Sequence, residues 1–320
     1  SSKILKIILI MKKVIVTGAA GFIGSSFTKY LFKTLPNLEI LCIDSLDKPL
    51  TKQNTVGLGS LSNLSPLNIN FELLDIGKKS QLKDLVEHFK PEKIFHFAAL
   101  SDTRCIDEEA IYNTNILGFE NISNLCLENS IDLIFSSSAS GYMWKDNKKS
   151  FGKSFDTLYA YSKFLNEEYA KKLNSKGLKS WGFRFFNVYG KNEEAKGNTS
   201  SVINQIIQHV KEEKVFNLFS DSWDTKRDFV YIDDINNILS KYAQVPIGIY
   251  DLGSGEARSF GEVADIIKSL LKEKCNYKLI NNPYKEKYQK YTLADMSWIK
   301  INKLNIKLTS LEEGIENLIS

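Results

Sequence analysis

Cysteine and histidine are scarce in this chain, with four and three among 320 residues. Cys42, Cys105, Cys126 and Cys275 stand at no zinc-ligand or thiol-exchange spacing, and the histidines are scattered. No metal site is expected, and a reducing, cytoplasmic setting fits the free thiols. Charge of one sign is also lacking. The net +4 is mild and spread along the chain, so nucleic acid is not an expected partner. Long hydrophobic runs are missing too. The run Ile4 to Ile10 is interrupted by Lys6, too short to span a bilayer and without a cleavage pattern, so neither a membrane anchor nor a signal peptide is expected. Internal repeats and low-complexity tracts are absent.

What is present is the balance of a globular protein, 43% apolar and 25% charged residues. The length suffices for a full α/β core with one smaller lobe. Met11-Lys12-Lys13 looks like a start, so residues 1–10 are expected to be an appended or upstream extension.

The β-branched run Lys13 to Thr17 leads into Gly18-Ala-Ala-Gly21-Phe22-Ile23-Gly24 and then a helical pattern through Phe32. Strand, glycine turn and helix in that order suit a dinucleotide: glycines admit a pyrophosphate close to the backbone, and the helix N-terminus favours its charge. The next predicted strand, Glu39 to Ile43, ends in Asp44, about twenty residues beyond the last glycine, where a carboxylate accepts hydrogen bonds from an adenosine ribose. Asp44 favours NAD by repelling a 2'-phosphate, while Lys52 could reverse that preference. Ile69 to Leu74 ends in Asp75-Ile76, Lys93 to Phe97 in Ala98-Ala99-Leu100-Ser101, and Ile131 to Phe135 in Ser136-Ser137-Ser138. Each is an apolar run ending in small or acidic residues, as parallel strands do where they line a cofactor crevice. The polar stretch between Asp44 and Ile69 reads as a surface excursion.

Tyr159-Ala-Tyr-Ser-Lys163 lies in a helical pattern from Leu158 to Leu173, which places Tyr159 and Lys163 on one face. A nearby ammonium favours the phenolate, so the pair is expected to lower the Tyr159 pKa from about 10. The alternative is a packed tyrosine beside a surface lysine.

Taken together, Gly18, Gly21, Gly24, Asp44, Asp75-Ile76, Ala98-Ala99, Ser138 and Tyr159-x-x-x-Lys163 resemble an extended short-chain dehydrogenase/reductase. The resemblance implies a Rossmann-type doubly wound parallel sheet with a smaller α/β substrate lobe. It also implies one tightly held NADP or NAD per subunit, bound by the glycine turn with Phe22 and Ile23, by Asp44, Ser45, Lys52, Asp75, Ile76, Ala98, Ala99, Ser101, Asn115, Tyr159, Lys163 and Val188. Ser138, Tyr159 and Lys163 become the catalytic set.

Further on, Gly182-Phe-Arg-Phe-Phe-Asn187-Val188-Tyr189-Gly190 is similar to a strand end and turn of nucleotide-sugar epimerases and dehydratases. With Lys196-Gly, Lys226-Arg-Asp-Phe-Val-Tyr, Gly253-Ser-Gly255 and Tyr288-Gln-Lys-Tyr, the pattern most resembles the ADP-L-glycero-D-manno-heptose 6-epimerases. That implies a redox-neutral epimerase with Lys196 as a second acid/base group. Its nucleotide-diphosphate sugar would be held by Ser138, Asn187, Asn198, Gln205, Phe219, Ser222, Arg227 and Tyr288, with Arg227 on the diphosphate. The absence of an Asp-Glu pair after Ser138 argues against a sugar 4,6-dehydratase. A hexose 4-epimerase is the nearest rival, and a non-catalytic dinucleotide sensor a remote one. Ala139-Ser-Gly-Tyr142-Met143 departs from the usual Ala-x-x-Tyr-Gly, and Gln205 stands where a histidine can occur.

The expected division is 11–186 as the dinucleotide domain, also receiving roughly 228–252, with 187–227 and 253–320 as the substrate lobe. Apolar faces on Ile106 to Leu127 and Tyr159 to Leu173 could pack against a second subunit, as extended family members often do, or serve the monomer's core.

Overall fold

The computed structural model describes residues 12–46, 59–101, 105, 107–145, 148–153, 155–271, 276–283 and 290–320. The expected extension at 1–10, Cys275 and the site residues Lys52 and Tyr288 lie outside that range, as does the side chain of Asn198.

The first half alternates strand and helix: β1 (Lys13–Thr17), α1 (Phe22–Thr34), β2 (Glu39–Asp44), β3 (Asn70–Leu73), α2 (Lys79–Phe89) and β4 (Lys93–His96). Then Glu108–Ile111, Tyr112–Leu117 and Gly118–Glu128 run on as one helix, α3, whose middle stretch is wound as a π-helix. Next come β5 (Asp132–Ser138), the hairpin β6 (Tyr142–Lys145) and β7 (Lys148–Phe151), α4 (Leu158–Asn174) and β8 (Ser180–Phe185). The second half supplies β9 (Asn187–Tyr189), α5 (Val202–Lys211), β10 (Phe216–Phe219), β11 (Lys226–Tyr231), α6 (Ile232–Leu239) and β12 (Gly248–Leu252). The rest comprises β13 (Ala257–Ser259), α7 (Phe260–Leu271), β14 (Tyr277–Ile280), α8 (Ser297–Ile301) and α9 (Leu311–Ile319).

Seven strands form one sheet in the order β12-β8-β5-β4-β1-β2-β3, and every neighbouring pair in it is parallel. This is the Rossmann order extended by a seventh strand, with a switch point between β1 and β4. Side chains alternate across a strand, and the core follows that alternation. Val14 and Val16 of β1 join the layer containing Phe27, Phe95, Phe183, Ile232 and Ile235, whereas Ile15 joins the opposite layer with Leu82, Phe119, Ile122 and Leu133. Both faces of β1 are therefore dry, which is why it reads as an unbroken apolar run.

Within the stretch 228–252 expected to return to the large domain, Gly248–Leu252 pairs with β8 at the edge of the sheet, register Asp251 to Arg184. The strand Lys226–Tyr231 instead lies between β9 and β13 in a three-stranded sheet. A pair of parallel strands, β10 and β14, completes the smaller part. No described helix is long and apolar enough to cross a membrane.

Candidate active site

A cavity of about 780 Å³ runs along the C-terminal ends of β1, β2, β4 and β5 and continues under α5 and β10. One end is the glycine turn. A Cβ on Gly24 would sit 2.1 Å from the Gly18 carbonyl oxygen, and one on Gly18, whose φ is +66°, would sit 2.5 Å from the Ala98 nitrogen. Only glycine lets β1, α1 and the segment after β4 approach this closely. Helix α1 starts at Gly21 with no side-chain cap and no acid in its first turn, and Gly21, Phe22 and Ile23 line the cavity. Its positive end is thus presented to an anion.

Asp44 closes this end: its Oδ2 accepts from the Ala20 N–H at 2.9 Å and its Oδ1 from the Leu46 N–H at 2.9 Å. The carboxylate therefore holds the glycine turn as well as lining the cavity beside Ser45, Asp75, Ile76, Ala98, Ala99 and Ser101. The cradle, the uncapped helix end and Asp44 fit a dinucleotide, with the diphosphate at the turn and the adenosine ribose at Asp44.

Ser138, Tyr159 and Lys163 meet further along the same cavity. Thr157 caps α4 by accepting from the Ala160 N–H at 3.1 Å, so the helix begins immediately before Tyr159. Tyr159 is hydrogen-bonded with Ser138. Lys163 is buried; its Nζ donates to the Ser136 carbonyl at 2.9 Å and lies 5.9 Å from the centroid of the Tyr159 ring. Burial pushes the Tyr159 phenol upward, with the Ser138 hydrogen bond working against it. This corrects the expectation of a lowered phenol. Burial also draws Lys163 down to about 8, with Glu167 opposing that shift. The lysine is thus itself reluctant to be charged, and desolvation dominates the phenol.

Lys196 reaches the cavity from the other side. It belongs to a 3₁₀ segment, Glu194–Thr199, and its Nζ stands 5.3 Å from the centre of the Phe22 ring. Glu193, fully buried, holds the base of this loop: it accepts from the Gly190 N–H at 3.0 Å and from the Ser201 N–H at 2.6 Å. Sequence reasoning missed Glu193. The only signal was an acid three residues after a glycine turn and three before the lysine.

Asn187, Val188, Gln205, Phe219 and Ser222 line the cavity. Gln205 donates to the Ser200 carbonyl at 2.8 Å. Two expected residues are placed elsewhere. Asn115 is buried, its Oδ1 accepting from Leu100 N and its Nδ2 donating to Leu100 O and Ser162 Oγ, so it ties the end of β4 to α4, while Thr114 faces the cavity. Arg227 is buried outside the lining, its Nη1 donating to the Lys226 carbonyl and its guanidinium 5.6 Å from the ring centre of Phe260, itself a lining residue. Missed lining residues include His209, Phe216 and Asn282. The amide of Asn282 donates to Asp221 across β10 and β14, a pairing invisible from sequence spacing.

The model of the NAD dependent epimerase/dehydratase family matches residues 14–253, which hold every glycine of the turn and the whole Ser-Tyr-Lys set. The chain belongs to that family. The family's ADP-L-glycero-D-manno-heptose-6-epimerase from Brachyspira hyodysenteriae is 30% identical over 315 residues, 95% of either chain. The crystal structure of the Helicobacter pylori ADP-L-glycero-D-manno-heptose-6-epimerase superposes with a TM-score of 0.84 at 28% identity, covering 97% of this chain and 96% of that one. A UDP-N-acetylglucosamine 4-epimerase from Methanobrevibacter ruminantium, in complex with UDP-N-acetylmuramic acid, gives 0.81 at 25% identity, covering 97% and 98%. The expected doubly wound parallel sheet and the extended family resemblance both stand, and nicotinamide dependence follows from the family itself.

Proposed function

We propose that this NAD dependent epimerase/dehydratase family member is an isomerase that inverts carbon 6 of ADP-D-glycero-D-manno-heptose. The observation that carries the reading is one cavity with Ser138, Tyr159 and Lys163 on one wall and Lys196 on another. Both heptose-epimerase relatives align along nearly the whole chain. A bound nicotinamide would supply the hydride acceptor and donor for the sugar carbon. Ser138 holds the reacting oxygen, and Tyr159 takes its proton as the carbon–oxygen double bond forms. The ketone then turns within the cavity, and Lys196 delivers the proton when hydride returns on the opposite face. Lys163 keeps a positive charge beside Tyr159 and would bind the nicotinamide ribose. The nucleotide-diphosphate sugar extends toward Asn187, Gln205, Phe219 and Ser222, with Asn198 and Tyr288 as the remaining contacts of the reading and Arg227 behind the lining residue Phe260.

The lobe division at 11–186 with 228–252, against 187–227 with 253–320, belongs to this reading, except that β11 pairs with β9 and β13 of the smaller part. So do a homo-oligomer, a cytoplasmic location and a role in supplying heptose for lipopolysaccharide. A UDP-hexose 4-epimerase is the second reading, since it needs only Ser138, Tyr159 and Lys163. Purified protein is incubated with ADP-D-glycero-D-manno-heptose and separately with UDP-glucose, and products are read by NMR. Inversion at carbon 6 of the heptose is expected; inversion at carbon 4 of glucose with the heptose untouched would overturn the proposal.

A further inference from the structure

One turn beyond Lys163 on α4, Glu167 is completely buried and wholly engaged. Its Oε1 accepts from Ser137 Oγ at 2.6 Å and from Arg184 Nε at 2.8 Å, and its Oε2 from Arg184 Nη2 at 2.6 Å. Ser137 adjoins Ser138 on β5, and Arg184 lies on β8. The chain of contacts continues: Arg184 Nη1 donates to Tyr142 Oη at 2.6 Å, and Tyr142 donates to Asp251 of β12 at 2.6 Å. Asp251 also accepts from Lys149 Nζ at 2.7 Å and from the Asp295 N–H at 3.0 Å. Such a network is costly to bury unless each member is satisfied, and here the guanidinium fork meets the carboxylate in paired geometry.

We propose that Glu167 is a positioning residue for the reaction, locking α4 to β5 and β8 while holding a negative charge one helical turn from Lys163, so that Lys163 stays protonated beside Tyr159. The inference rests on the reading that Tyr159 and Lys163 form the acid/base pair. Among the described residues, the titratable groups facing Lys163 are Tyr159 and Glu167 from its own helix and His96 from β4, with Ser136 facing it from β5. His96 is buried with its Nδ1 paired to Thr17 Oγ1, and burial lowers it to about 3, so it is neutral at working pH. Glu167 is therefore the charge that offsets the desolvation of the ammonium, and Arg184 holds it in place. Turnover that needs a charged Lys163 should fall as pH rises through about 8.

The test titrates the Lys163 side chain by NMR, using 13Cε-lysine protein with the cofactor it retains on purification and assigning the signal by its loss in Lys163→Met. A midpoint near 8 is expected in the parent protein. Glu167→Gln should lower it by roughly half a unit or more and move the alkaline limb of turnover the same way, with KM for the nucleotide sugar changed less than about threefold. Glu167→Gln/Arg184→Met removes both charges of the pair, avoids an unpaired guanidinium, and should lower the midpoint by less than Glu167→Gln alone. A midpoint unmoved in whichever variants fold overturns the proposal. If the midpoint moves but ADP-heptose is never turned over, the functional reading fails and the role of Glu167 in holding the Lys163 charge stands.

Discussion

Tyr159 is a phenol that its surroundings keep protonated. It takes the substrate proton as a base only once its neighbours favour the phenolate. Tyr159→Phe removes the transferable proton and little else, because the ring still packs. Turnover should fall by roughly 10²–10⁴-fold while the cofactor released on denaturation, read by absorbance, stays at one per chain. Lys196→Met should cost a comparable factor with the unfolding midpoint unchanged, since the loop is held by Glu193 and not by the lysine itself. Wild-type rates in that variant would return Lys196 to an ordinary loop side chain. The Tyr159–Lys163 spacing was legible because it is a property of one helix. The direction of the phenol's shift was not, because desolvation depends on what the other elements place around that helix.

At the scale of elements, the glycine turn shows sequence and structure agreeing for a single physical reason. Gly24 faces the Gly18 carbonyl with no room for a methyl group. Gly24→Ala should open the turn, leave the purified protein with less than stoichiometric cofactor, and lower stability by about 1–3 kcal/mol in urea unfolding. Full cofactor content in that variant would remove the turn from the binding site. The stretch 106–127 was expected to carry an apolar face; in α3 the π-wound part has Thr114 at the cavity and Asn115 turned to Leu100. Periodicity cannot reveal such a local insertion, and π segments often occur at functional sites. The hairpin after Ala139 was flagged as unusual in sequence. Its Tyr142 finds Arg184 and Asp251, 42 and 109 positions away, and no local pattern could have paired them.

For the whole molecule, buried ionisable groups of opposite tendency set how stability responds to acid. His96, drawn down to about 3 by burial, is neutral when folded, whereas unfolded it titrates near 6.5. Its contribution is present above that value and is lost as pH falls toward the folded value, roughly 2 kcal/mol between pH 7 and pH 5. Glu193, Asp228 and Asp234 are pushed the other way, each raised chiefly by burial. Their contribution is present below the unfolded carboxylate value and is lost as pH rises through the folded one. The two effects oppose each other in mildly acidic solution. In His96→Asn the loss of unfolding free energy from pH 7 to pH 5, measured by urea titration, should be smaller than in the parent by about 2 kcal/mol. An identical pH dependence in the two proteins would show that His96 is not neutral in the fold.

The sequence by itself determined the order of strands and helices, the glycine turn, the acid at the end of the second strand and the spacing of Tyr159 and Lys163. All of these depend on neighbours within a few residues, where backbone sterics and helical or strand periodicity act directly. Only the tertiary structure decided which lysine and asparagine side chains look into the cavity, that Arg227 packs beside Phe260 and outside the lining, and that burial raises the phenol. Those outcomes depend on desolvation and on partners far apart in the chain, and such quantities exist only once the layers have closed on one another.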